Sequence, residues 1–175
     1  MAHSIELLFD DDTDAALRQV WDALADAGVP SQNRVASPTN RPHVTVVVAD
    51  RLAPAVDTDL RALADRLPLP CLLGAPLVFG RGRLTLAHLV VPSAELLAFH
   101  RRVYDVCVPH LTPGPAPHSE PGSWTAHATL GRRLTPAQLG TAFAAVPALT
   151  GERRASFTGL RRWDGDERVE HVLIG

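Results

Sequence analysis

Residues 43–50, "HVTVVVAD", open with a histidine, set a threonine two places on, and continue as a run of valines. β-Branched side chains pack well on an extended backbone and crowd a helix, so this run predicts a strand. On a strand, residues two apart project to the same side, which puts His43 and Thr45 on one face. The arrangement returns in "WTAHATLGRR", where His127 and Thr129 precede another apolar residue. A chain that carries this pair twice must fold so that both strands have a use for it.

A single His-x-Thr match carries no information in a chain with eight histidines. The surroundings of the two matches do. "SIELLFD" reads as a short strand, with Ile5, Leu7 and Phe9 alternating against Glu6 and Leu8. "DAALRQVWDALADAG" repeats apolar residues at helical spacing and stops at Gly28 and Pro30. "AVDTDLRALADRL" predicts a helix capped near Asp57, and "PCLLGAPLVFG" with "RLTLAHLVV" predicts two strands joined near Gly80 to Gly82. "SAELLAFHRRVYDVCVPHL" predicts a second long helix with Ser93 as its cap. "TPGPAPHSEPG" is expected to be a surface loop outside the core. "SWTAHATLG" then predicts a strand, "TPAQLGTAFAAV" a helix entered at Thr135-Pro136, and "ASFTGLRRW" with "RVEHVLIG" a closing hairpin around Asp164-Gly165. Strand, long helix, His-x-Thr strand and helix thus occur twice, from residue 4 and again from residue 83. This order points to an α+β fold with antiparallel sheets and not to a doubly wound parallel sheet.

Bulk properties narrow the function. A chain of 175 residues, 46% of them hydrophobic, fits one domain over residues 1–175, made of two intimately packed lobes. No apolar run approaches the roughly 18 residues of a membrane span, and "MAHSIELLFDDD" lacks a signal-peptide pattern. A cytoplasmic protein without membrane contact is expected, its Cys71 and Cys107 reduced and structural. The net charge of −2 excludes a broadly basic nucleic-acid coat and favours short substrates over long RNA. No P-loop, dinucleotide-binding or H-E-x-x-H pattern occurs, so neither a nucleotide cofactor nor a metal is expected.

Two such strands facing each other across a cleft would offer two imidazoles and two hydroxyls to one phosphorus. A neutral imidazole takes the proton of an attacking hydroxyl or water, while a protonated one gives a proton to the leaving oxygen. The unperturbed histidine pKa near 6.5 permits both forms, and each positioned acid or base is worth about 10²- to 10⁴-fold. Threonine hydroxyls can donate to the non-bridging oxygens, where charge develops. Arg41, which shares the parity of His43, and Arg132, after the second motif, are candidate phosphate contacts. Phe9 and Trp124 are candidate base-stacking surfaces, with core packing as the competing reading of each.

The two motifs, "HVTV" and "HATL", resemble the signature of the two-histidine (2H) phosphoesterase superfamily, which includes 2′-5′ RNA ligase-like proteins and cyclic phosphodiesterases. "IELLFDDDTDAALRQVWDALADAG", "PSAELLAFHRRV" and "WTAHATLGRRLTPAQL" extend the likeness over essentially the whole chain. The resemblance implies a bilobal α+β fold with pseudo-two-fold symmetry about an open cleft. It implies that His43 with Thr45, and His127 with Thr129, are catalytic. The implied activity is metal-independent hydrolysis of a 2′,3′-cyclic phosphate on a nucleotide or short RNA end, or 2′-5′ ligation by the reverse steps. His127 is assigned as base and His43 as acid. A monomer with no cofactor and no protein partner is expected. A non-catalytic RNA- or nucleotide-binding module that retained the cleft is the rival reading, and a zinc hydrolase built from scattered histidines is a third.

Overall fold

Every element expected from the local patterns forms, and one more joins them. The computed structural model describes residues 2–175. Its elements are β1 (His3–Phe9), α1 (Asp11–Asp26), β2 (His43–Leu52), α2 (Val56–Arg61), β3 (Leu69–Phe79), β4 (Leu84–Val90), α3 (Ala94–Cys107), β5 (Leu111–Pro115), β6 (His127–Leu134), α4 (Pro136–Ala145), β7 (Arg153–Asp164) and β8 (Val169–Ile174). Three helices start where their caps predict, whereas α2 follows Ala55 without a side-chain cap and Asp57, expected near its cap, lies inside it and accepts from Arg162. Asp10 accepts from the Thr13 N–H at 2.9 Å, Ser93 accepts from the Leu96 N–H at 3.1 Å, and Thr135 forms a capping box with Gln138.

The strands pair antiparallel in the order β1-β2-β6-β4-β3-β7-β8, and β7 pairs with β1 as well. The length of β7 makes this possible. Its first half lies against β3 and its second half against β8, while β1 runs along its other edge. Two lobes result, β7-β1-β2 and β3-β4-β6; they meet along β3 and β7 on one side and, on the other, where β2 touches β6 through one bridge, Val44 to Ala128. Helices α1 and α3 cover the opposite side. Leu17 and Leu24 of α1, and Leu96 and Val103 of α3, share a buried core with Val44, Val46, Leu86, Ala128 and Leu130. Gly131 admits no side chain there, because a Cβ would run into the carbonyl oxygen of Pro30.

Two expectations need correction. The proline-rich stretch is not a loop outside the structure: it begins as β5, which pairs with β2 from Leu52↔Leu111 to Ala49↔Pro115, and the Ala116 N–H then donates to the Val48 carbonyl at 2.7 Å. The outer part of β2, which has parted from β6, needs backbone partners, and this segment supplies them. Nor does β1 alternate between core and solvent: all seven of its residues are buried. Its polar face, with Ser4 and Glu6, is covered by side chains from β7, as described below. No helix among the described residues is long and apolar enough to cross a membrane.

Candidate active site

The bridge between Val44 and Ala128 sets the geometry. Both residues are buried, at 0% and 1% exposure, whereas His43, Thr45, His127 and Thr129 on either side of them are half-buried. Strand alternation therefore puts all four motif side chains on the face away from the helices. The antiparallel register places His43 beside Thr129 and Thr45 beside His127, so the histidines lie diagonally across the seam. Diagonal neighbours on adjacent strands stand about 7–8 Å apart, a gap matched to one phosphate.

The two rings are held alike. The His43 Nδ1–H donates to the Arg41 carbonyl at 2.8 Å, and the His127 Nδ1–H donates to the Thr125 carbonyl at 2.7 Å. Each is the carbonyl two residues back. With Nδ1 committed as donor, Nε2 is the atom left to take or give a proton. The backbone is held from behind by indoles. Trp124 Nε1–H donates to the Thr45 carbonyl at 2.9 Å, and Trp21 Nε1–H, from α1, donates to the Thr129 carbonyl at 3.2 Å.

The surroundings of the rings differ. Beside His43, Glu6 Oε1 lies 3.7 Å from Nε2. Burial alone would raise the Glu6 carboxyl, but His43, the Arg161 guanidinium and the Ser4 hydroxyl outweigh it and hold the group below the usual carboxylate range. Among the described residues, no acid of this kind stands beside His127. The ring of Phe79 meets it edge-on, with centroids 5.0 Å apart and an interplanar angle of 74°, and Phe79 is 41% exposed. Burial, then the charges of Arg132 and His43, push the His127 imidazole below its ordinary value, against the hydrogen bond to Thr125. Gly131 faces Pro30 under the sheet, so Arg132, one residue on, projects to the motif side.

The structure thus brings His43, Thr45, His127 and Thr129 together, with Arg132 in electrostatic reach of His127. Arg41 lends its carbonyl to His43, but its guanidinium is tied to Asp14 of α1 at 3.3 Å. Two stacking candidates do not face the cleft. Phe9 is 1% exposed and packs on Phe157, with centroids 4.8 Å apart, because it shares the strand face of Ile5 and Leu7, which points into the core. Trp124 is stacked flat on His100, at 4.0 Å and 4°, behind the motif strand. Reading the sequence alone missed Glu6, Arg161, Trp21 and Phe79. The one local hint was an acidic residue amid the apolar run of β1. Among the described residues, no group of three His, Cys, Asp or Glu side chains could hold a metal ion. Two cavities, of about 320 and 400 Å³, lie elsewhere, one against α1 and His88 and the other beside His3 and His110. Neither is lined by a motif residue; the four motif side chains stand half-buried along the seam between the lobes.

An antiparallel bilobal fold with two His-x-Thr strands converging at its seam defines a 2H phosphoesterase-type protein. The model of the 2′-5′ RNA ligase superfamily matches residues 9–167, and the chain belongs to that superfamily. The structure of Kluyveromyces marxianus Usb1 aligns over 99% of this chain and 98% of its own, with a TM-score of 0.60 at 14% identity. A structure of the same Usb1 with uridine monophosphate aligns over 99% and 97%, with a TM-score of 0.54 at 14% identity. At such identity the likeness is one of fold. No curated protein matches the chain in sequence.

Proposed function

We propose that the β2–β6 seam is the active site of a metal-independent phosphoesterase that opens the 2′,3′-cyclic phosphate of a nucleotide or short RNA end. The observation that carries this reading is the pairing of the two motifs about Val44 and Ala128, with both Nδ1 atoms bound to backbone, so that each ring exchanges its proton through Nε2, which at His43 also faces Glu6 at 3.7 Å. Membership of the superfamily and the uridine monophosphate bound by a Usb1 of the same fold support a nucleotide phosphate as the occupant.

In this reading a phosphate sits between the rings. Neutral His127 takes a proton from water as the water oxygen bonds to phosphorus. The bond from phosphorus to one ribose oxygen breaks, and protonated His43 delivers its proton to that oxygen, leaving a phosphomonoester. The Thr45 and Thr129 hydroxyls donate to the non-bridging oxygens as charge builds there. Arg132 adds a fixed cation, and the exposed face of Phe79, not Phe9 or Trp124, offers a base something to stack on. With a 5′-hydroxyl in place of water and the ribose 3′ oxygen leaving, the same proton transfers would join a 2′-5′ linkage.

Hydrolysis of a 2′,3′-cyclic mononucleotide in the presence of EDTA tests the reading on the wild type, His43→Ala and His127→Ala. Turnover that resists EDTA and fails in both variants is the expected result. Activity surviving both changes refutes the mechanism. Binding of nucleotide phosphate with no turnover of any cyclic substrate would instead mark a non-catalytic module.

A further inference from the structure

Beside His43 runs a chain of charge, buried at Glu6 and Arg161, that has no equivalent around His127 among the described residues. Glu6 Oε1 stands 3.7 Å from His43 Nε2 and also accepts from the Ser4 hydroxyl at 2.7 Å. Glu6 Oε2 receives Arg161 Nε at 2.8 Å and Nη2 at 2.7 Å. Arg161 Nη1 continues to Glu170 Oε2 at 2.7 Å and to the Thr39 carbonyl at 2.8 Å. Glu6 and Arg161 are 6% and 3% exposed, so water screens little of this.

Two carboxylates and one guanidinium leave the cluster one negative charge in excess. An imidazolium at His43 is the cation that completes it. Arg41, before β2, is turned away to Asp14 of α1, which it shares with Arg18, so that set carries one positive charge of its own. His127 of β6 is the remaining titratable group across the seam, and its own burial and Arg132 disfavour its charge.

We propose that Glu6, fixed by Arg161, is a positioning residue that keeps the single proton shared by the two imidazoles on His43. The resting protein then holds its acid on β2 and its base on β6. A cyclic phosphate is read in one direction only, with the departing ribose oxygen over the β1-β2-β7 lobe and the water over the β3-β4-β6 lobe. The consequence for catalysis rests on the phosphoesterase reading above. The protonation order does not, since it can be observed without substrate.

Nitrogen-15 NMR of the histidine rings, titrated through the neutral range on the substrate-free protein, tests it directly. In the wild type, His43 is expected to take its proton in preference to His127 by about tenfold or more. Glu6→Gln lowers that preference by about tenfold or more. Glu170→Gln, which leaves the Glu6–Arg161 pair intact and alters a side chain 28% exposed, lowers it by a smaller factor in the same direction. If Glu6→Gln fails to fold around the buried arginine, Glu170→Gln decides alone. A wild type in which His127 protonates first, or an order unmoved in every variant that folds, overturns the proposal. A preserved order with no turnover of cyclic phosphate supports it while striking the phosphoesterase reading. Turnover with a lost order strikes Glu6 alone.

Discussion

The two His-x-Thr strands are alike in everything the backbone controls. Each ring is locked through Nδ1 to the carbonyl two residues before it, each threonine carbonyl is capped by an indole, and each motif alternates with buried residues beneath. They differ in what the neighbouring strands bring. His43 faces a carboxylate from β1, and His127 faces an aromatic edge from β3 and the charge of Arg132. The motif thus fixes where a proton can be exchanged. The flanking strands bias which ring gives it and which takes it.

Substitutions can test whether that likeness and that difference have the consequences drawn from them. The largest effect is expected at the rings: His43→Ala and His127→Ala should each lower kcat for a cyclic phosphate by about 10²- to 10⁴-fold. The double variant should lose less than the product of the two, because the rings act as a unit. Steady-state rates on all three variants measure this. Next come the hydroxyls. Thr45→Val and Thr129→Val should each reduce kcat by about 10²-fold with a smaller change in KM, and equal losses would mean that the phosphate leans on neither lobe. Third, Trp21→Phe and Trp124→Phe each leave a backbone carbonyl without its donor, at about 1–3 kcal/mol of stability by urea unfolding. Trp124→Phe should cost more, since it also disturbs the stack on His100.

The smallest effect is one of pH. Burial pushes His100, under the first motif, and His88, in the second lobe, below the ordinary histidine value of 6.5, against the hydrogen bonds that each makes to a carbonyl. Each is neutral when folded and takes a proton more readily when unfolded. Their contribution is complete above the unfolded value and is lost as pH falls from there through the depressed folded one. Unfolding free energy should therefore decline on acidification below about pH 6.5, by at most about 1.4 kcal/mol per pH unit for each group. His100→Gln and His88→Gln should each flatten that slope, and a slope unmoved by both would show that neither ring is held neutral.

The order of elements was legible because each rests on a local period or a cap: the β-branched run of β2, the helical spacing of α1, the Thr135 box of α4. The four motif residues were legible for the same reason, since parity along a strand is a local property. What failed depended on partners distant in sequence. The segment 111–115 becomes a strand only because β2 departs from β6 and leaves backbone groups open. Phe9 and Phe79 both end strands; Phe9 shares the core face of Ile5 and Leu7, whereas the place of Phe79 depends on its contact with His127 from another strand. Glu6 acquires its meaning when β1 lies against β2 and sets it opposite Thr45.

The indoles have one more consequence. Trp21 comes from the early part of the chain and braces the late motif, while Trp124 comes from the late part and braces the early one. The halves are interlocked like clasped hands, each supplying the brace its counterpart lacks. A fragment ending after β3 would keep His43 and lose the support under Thr45, and the complementary fragment would lose the support under Thr129. Neither half would rebuild its own share of the seam until the two were mixed.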